Sequence, residues 1–197
     1  MLRPTYKPLA QSAISSAGCF VLDAHNPTPV KADSPAVEVM TDLSKIPAAT
    51  ISPDDSLSEA NQSMLLRGVR LLLVAANDGH IRGVITSNDL LGERPVTVAQ
   101  NRGIKRSELR VNDVMTAVEN MEVLALADVA RAEVGHIVAT LKAATRVHAL
   151  VVEDSNGQQV LRGIFSASQI ARQLGVPVVS HEAARTFAEI EAAIAGV

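Results

Sequence analysis

Thr86 and Asp89 stand three residues apart, where the apolar run Gly83-Val84-Ile85 ends and just before Leu90-Leu91. A hydroxyl and a carboxylate at this spacing suit two kinds of chemistry. The first is ligand capture: where a buried strand turns into a helix, unpaired N–H groups and the positive dipole end favour phosphate. There the Thr86 hydroxyl can donate to a phosphate oxygen while Asp89 accepts hydrogen bonds from both hydroxyls of a ribose diol. The second is local, because Thr-x-x-Asp is also a helix capping box.

The elements that must position this pair occur twice. Val39-Met40-Thr41 recurs as Val114-Met115-Thr116, and Arg82-Gly83-Val84-Ile85-Thr86 recurs as Arg162-Gly163-Ile164-Phe165-Ser166. A duplicated plan shapes the fold more than any single motif. In the first copy Ser52-Pro53-Asp54-Asp55 offers cap chemistry, and Leu57, Ala60, Met64 and Leu65 follow at helical spacing up to Gly68. Leu71 to Val74 reads as a buried strand, Asn77-Asp78-Gly79 as a hairpin turn and Ile81 to Ile85 as the returning strand, with a short helix from Ser87. The second copy repeats the order: helix face Val134, Ile137, Val138 and Leu141, strand Ala149 to Val152, turn Ser155-Asn156-Gly157, return strand Val160 to Phe165. Each copy is a βαββα unit of about 55 residues, near the lower limit for a self-sufficient core. Two such units gain by packing together, with ligand-sized clefts where they meet.

The Val-Met-Thr openings, the Leu-Leu-Val-Ala-Ala-Asn-Asp-Gly and Leu-Val-Val-Glu-Asp-Ser-Asn-Gly hairpins, and Gly83-Val84-Ile85-Thr86-Ser87-Asn88-Asp89 together resemble the cystathionine-β-synthase (CBS) domains, which occur as tandem Bateman modules. The resemblance covers about Ser34 to Leu174. It implies an α/β fold of two βαββα repeats related by a pseudo-twofold axis. It also implies a non-catalytic regulatory role, with an adenosine-containing ligand (AMP, ADP, ATP or S-adenosylmethionine class) in the inter-repeat cleft. In the family the Thr/Ser faces phosphate and the Asp holds ribose, roles that carry over to Thr86 and Asp89, with Asn88 inside the same signature. Arg70, just before a strand core, is then placed to read phosphates, and Thr50, Ile51 and Val84 to form an adenine slot.

The second copy departs from this pattern. It has Ser166-x-x-Gln169, which still suits a capping box but lacks the carboxylate, and His148 stands where the first copy is read as having Arg70. Capping accounts for both copies; ribose binding accounts only for the first. The expectation is one standard adenosine site per chain, centred on Asp89, and a degenerate second cleft at His148, Ser166 and Gln169.

Composition narrows the classes further. The 197 residues are 47% hydrophobic and 20% charged with a net charge of −3, which suits a globular chain and argues against a charge-driven nucleic-acid binder. Four aromatic residues, Tyr6, Phe20, Phe165 and Phe187, form no stacking platform. A single cysteine, Cys19, excludes an intramolecular disulfide, and the stretch before it is too polar for a secretory h-region, so a cytoplasmic location is expected. His25, His80, His136, His148 and His181 are scattered without zinc-site pairing, and Asp54-Asp55 reads as a solvated helix start rather than a magnesium site. No nucleophile–base pair stands out, so the expectation is no enzyme, no metal and no catalytic cofactor.

The expected organisation is an N-terminal arm (1–33), CBS repeat 1 (34–92), a basic linker (93–112), CBS repeat 2 (113–175) and a C-terminal helix (176–197). The linker carries Arg94, Arg102, Lys105, Arg106 and Arg110; it reads as a solvated helix after Pro95 with Val96 and Ala99 inward and Gly103 at its end, or as a contact for an anion. Ala183, Phe187, Ile190 and Ile194 form an apolar stripe that must be buried on this module or on a second chain. The functional expectation is a homodimer that relays ligand binding to an effector protein, without membrane or nucleic acid; the alternative is a ligand-free dimerisation scaffold.

Overall fold

A computed structural model of the protein describes residues 10–13, 28–176 and 183–195. Tyr6, Cys19, Phe20, His25 and His181 lie outside the described residues, as do most of the expected N-terminal arm and residues 177–182. In chain order the elements are β1 (Thr41–Asp42), β2 (Thr50–Ile51), α1 (Leu57–Arg67), β3 (Leu71–Ala75), β4 (Ile81–Thr86), α2 (Ser87–Leu91), α3 (Arg94–Arg102), α4 (Val111–Val114) and β5 (Thr116–Ala117). The second half continues with β6 (Val123–Ala125), α5 (Leu126–Val129), α6 (Val134–Ala143), β7 (His148–Ser155), β8 (Gln158–Ser166), α7 (Ala167–Gln173) and α8 (Ala183–Ala195).

Both βαββα units form as their spacing dictates. In each, a parallel pair (β2 with β3, β6 with β7) is joined through a helix, and an antiparallel hairpin follows (β3 with β4, β7 with β8). The period-2 alternation of the hairpin strands splits the apolar residues between two faces. Leu72, Val74 and Ile85 pack under the helices of the first half, and Val151 and Phe165 under those of the second. Leu71, Leu73 and Leu150 face the other way and close a third core, joined by Val84, Leu161 and Ile164, between the two sheets.

The sheets do not respect the repeat boundaries. β1, at the start of the first copy, pairs with β8, while β5, at the start of the second, pairs with β4. The sheet orders are therefore β1-β8-β7-β6 and β2-β3-β4-β5. Each Val-Met-Thr segment docks on the Gly-containing return strand of the opposite copy, and these glycines make the approach possible. A Cβ on Gly83 would lie 2.3 Å from the Thr116 carbonyl oxygen, and one on Gly163 would lie 2.4 Å from Met40 Sδ.

Several local expectations are corrected. The α1 cap is Ser56, which accepts from Glu59 N while Glu59 accepts from Ser56 N, and not the Ser52–Asp55 stretch. Leu65 is 74% exposed: at 100° per residue it lies well off the face that carries Leu57, Ala60 and Met64. In the linker helix Pro95 and Ala99 are buried while Val96 is exposed, and the helix starts at Arg94. Gly68 and Gly103 end their helices in the left-handed conformation, as read. The linker cations are largely engaged with the protein: Arg94 donates to Met115 O, Arg106 to Leu90 O, and Arg102 pairs with Asp113. Of the α8 stripe, Phe187 and Ile190 are buried in this module's core beside α6 and α7, while Ile194 is exposed.

Candidate functional site

Two clefts flank the central core, and each is assembled from both repeats. The first, of about 280 Å³, is lined by Leu71, Val84, Thr86, Asn88 and Asp89 from the first half. The second half contributes Thr116, Met121, Glu122, Thr145, Arg146, Val147, His148 and Leu150. The second cleft, of about 210 Å³, sets Ile164, Ser166, Ser168, Gln169 and Arg172 against a first-half wall that includes Thr41, Ala48, Ala49, Gly68 and Arg70. Leu71 and His148 line both clefts. They occupy matching register positions, Leu71 opposite Thr86 and His148 opposite Ser166.

In the first cleft Thr86 and Asp89 form a closed box. Asp89 Oδ2 accepts from Thr86 N (2.8 Å) and from Thr86 Oγ1 (2.7 Å), while Asp89 N donates to Thr86 Oγ1 (3.3 Å). The Thr86 hydroxyl thus donates to Asp89 here, where the sequence reading has it donate to a phosphate oxygen. Asp89 Oδ1 has one long contact, 3.4 Å, to Arg94 Nη1, so this oxygen retains acceptor capacity. Its side chain is 20% exposed, enough to meet a ligand from a partly desolvated position. Arg146, 3.2 Å from Glu122, is the cation of this cleft.

Of the other residues read from sequence, Val84 and Asn88 line the cleft with Asp89; Arg70, Thr50 and Ile51 do not. Arg70 lines the opposite cleft, and Thr50 and Ile51 line neither, lying in β2 with Thr50 exposed. The cause is the assembly: each signature faces the strand start of the other repeat. Hydrogen bonds from Ser87 N to Arg70 O and from Ala167 N to Val147 O make Val147, not His148, the counterpart of Arg70. The sequence reading missed Arg146, Glu122 and Met121. The usable signal was that Arg146 precedes β7 much as Arg70 precedes β3.

Thr145 marks the rim of the same cleft. It occupies the left-handed region at φ 53°, where the first repeat has Gly68 at φ 64°. A β-branched residue held there stores about 1–2 kcal/mol of strain, a feature that clusters at functional sites.

In the second cleft Ser166 makes no cap, contrary to expectation; its hydroxyl lies 3.0 Å from that of Ser168. Gln169 instead accepts from Thr41 Oγ1 (3.2 Å) and donates to Gln173, whose amide holds the carbonyls of Thr28 and Glu38. His148, on the shared wall, has its Nδ1 buried without a hydrogen-bond partner among the described residues. Burial first, then the Arg70 charge, push its pKa down to about 4 against an opposing pull from Asp89. It is therefore neutral at pH 7. Among the described residues no three His, Cys, Asp or Glu side chains converge as a metal would require, and no helix is long and apolar enough to cross a membrane.

Residues 36–95 match the CBS domain family. The fold is also similar to solved structures. An uncharacterized conserved protein from Pyrococcus horikoshii shares 21% identity and a TM-score of 0.51 over 72% of this chain and 92% of its own. CBSX2 of Arabidopsis thaliana, in complex with AMP, shares 20% identity and a TM-score of 0.52 over 71% and 94%. No curated protein matches the chain in sequence.

Proposed function

We propose, from the premise that the chain folds as a tandem CBS domain pair or Bateman module, that it is a non-catalytic regulatory module binding an adenosine-containing ligand in the first cleft. The observation that carries this reading is Asp89, a partly buried carboxylate with spare acceptor capacity on Oδ1, set beside apolar walls from Leu71, Val84, Met121 and Leu150. In this reading Asp89 holds the ribose diol and the apolar walls sandwich the base. The AMP complex of CBSX2 supports the same ligand class. The cleft lining carries Asp89 and Glu122 against Arg146, so it suits AMP or S-adenosylmethionine better than a triphosphate.

The relay runs through association. Leu65, Leu66 and Leu91, each more than 70% exposed on α1 and α2, offer an apolar surface to a second copy of this chain. A ligand that ties β4 and α2 to the second half stiffens this surface and alters what an effector protein meets. Light scattering is expected to give about twice 20.8 kDa.

Thermal melting against AMP, ADP, ATP, S-adenosylmethionine and NAD tests the reading. A ligand at 100 times its Kd stabilises by about 2.7 kcal/mol. A flat response across the panel favours a ligand-free dimerisation scaffold.

A further inference from the structure

Arg94 is the first residue of α3, and its guanidinium reaches both ends of the linker at once. Nη2 donates to Met115 O at 2.7 Å, while Nη1 is shared between Asp89 Oδ1 at 3.4 Å and Thr116 Oγ1 at 3.5 Å. The turn that places it is short: α2 ends at Gly92, whose N–H returns to Asn88 O at 2.9 Å, and α3 starts two residues later. Asp89 and Thr116 line the first cleft and Arg94 does not. The guanidinium therefore stands behind two residues that face a ligand, one from each half.

Stability does not explain this bridge. An ion pair of this length, with the Arg94 side chain 46% exposed, adds little to a fold. The second repeat manages without one. There Gln169 accepts directly from Thr41 Oγ1, and five residues further on, where the first repeat has Arg94, Leu174 packs against the core. The arginine accompanies the carboxylate, and the leucine accompanies the amide.

The carboxylate itself shows what the arginine adds. Asp89 Oδ2 already accepts from Thr86 N and Thr86 Oγ1, so a ligand hydroxyl must be met by Oδ1. The terminal torsion of an aspartate is soft, and one anchored oxygen leaves the other free to swing. Arg94 limits that swing, because the other arm of its fork is held at Met115 O, on the chain entering β5. The aim of Oδ1 is thus set from the opposite repeat.

We propose that Arg94 is a positioning residue for the diol grip, which fixes Asp89 Oδ1 toward the first cleft and so makes the preference for a ribose over a ligand without vicinal hydroxyls depend on the linker. This rests on the reading of the first cleft as an adenosine site. Arg94 acts through Asp89, so its loss lowers selectivity for the diol.

Calorimetric titration with AMP and with 2′,3′-dideoxy-AMP tests this in wild type, Arg94→Gln, Arg94→Lys, Asp89→Ala and the Arg94→Gln/Asp89→Ala double variant, each checked for folding by circular dichroism. The readout is the ratio of the two affinities. Wild type should prefer AMP at least tenfold, and Arg94→Gln and Asp89→Ala should each bring the ratio to within about threefold of unity. Arg94→Lys keeps the charge without the fork and should lose the preference as well. The double variant should bind AMP as Asp89→Ala does. A merely structural arginine would weaken both ligands alike and leave the ratio standing in Arg94→Gln. That result overturns the proposal alone, as does a wild-type ratio in Arg94→Lys or an additive loss in the double variant. If wild type binds AMP no better than the dideoxy compound, or binds neither, the ribose reading of Asp89 falls and the proposal falls with it.

Discussion

Asp89 and Gln169 sit at the same position of α2 and α7, three residues beyond the return strand, and do different work. Asp89 turns back on Thr86 and closes a box, while Arg94 bridges it to Thr116. Gln169 turns outward, bonds the equivalent threonine, Thr41, directly, and joins Gln173 in pinning residues 28–38 to the second half. One copy holds a charge at the cleft; the other exchanges it for an amide network. The electrostatics follow, with Asp89, Glu122 and Arg146 lining the first cleft and Arg70 and Arg172, without an acid, the second. Strand register, the bulge in the hairpin and the buried faces stay the same in both copies, although β7 and β8 run on to a tighter turn. The duplication has thus kept the positions that bury apolar surface and diversified those that face the clefts.

The comparison can be broken most forcefully at the glycines. Gly83→Ala drives a Cβ into a backbone carbonyl that cannot retreat without unpairing β5, whereas Gly163→Ala meets the flexible end of Met40. Overpacking of this kind costs about 1–3 kcal/mol, so Gly83→Ala should fall near the upper figure and Gly163→Ala near the lower. Urea denaturation measures both. Equal losses would mean that the two exchanged strands are equally pliable, against the geometry.

Asp89→Ala should weaken binding of AMP at least tenfold, as expected for charge-assisted hydrogen bonds of about 1.5–3 kcal/mol, while Gln169→Ala stays within twofold. The Asp89 variant also opens the Thr86 box at about 1 kcal/mol, so its melting point must be measured beside its affinity. An Asp89-independent affinity that vanishes in Gln169→Ala would reverse the assignment of the two clefts.

His148→Leu places in the second repeat the residue type that Leu71 provides in the first. The folded pKa of His148, about 4, lies below its ordinary value of 6.5, so the unfolded chain takes up the proton first as pH falls. Its contribution to stability is complete above about pH 6.5 and is lost progressively down to about pH 4. Wild type should lose on the order of 1 kcal/mol between pH 7.5 and 5.5 from this group, and His148→Leu should not. Identical pH slopes in the two proteins would exclude His148 as the cause.

The smallest effect concerns the helix ends beside the clefts. Thr145→Gly restores the residue of the first repeat and relieves the left-handed strain, raising stability by about 1 kcal/mol. The same change removes a side chain that lines the first cleft, so the variant should be more stable and bind AMP more weakly. Stabilisation without any loss of affinity would make the strain incidental.

Most of the elements were legible because their signals are local. Leu71 to Val74, Asn77-Asp78-Gly79 and the Val134, Ile137, Val138 and Leu141 stripe were each read from spacing and found in place. Leu65 and Val96 misled because a residue at the margin of an apolar face satisfies the same spacing as one at its centre. The Thr86/Asp89 pair was visible for the same local reason, since a capping box is written within four residues. What a hydroxyl donates to is not so written, and Thr86 turned out to spend its hydrogen on Asp89.

The placement of Arg70, Arg146, Glu122 and His148 depended on which strand each sheet accepts at its edge. β1 and β5 are two-residue strands whose pairing partners lie in the opposite copy, more than 30 residues away in either case. Nothing in a short Val-Met-Thr segment distinguishes its own return strand from that of its duplicate. By itself the sequence determined the duplication, the order of elements and the turn and cap chemistry, because these depend on neighbours within about one helical turn or one hairpin. The tertiary structure alone decided that each cleft takes its signature from one repeat and its facing wall from the other, because that choice depends on closing the core between the two sheets.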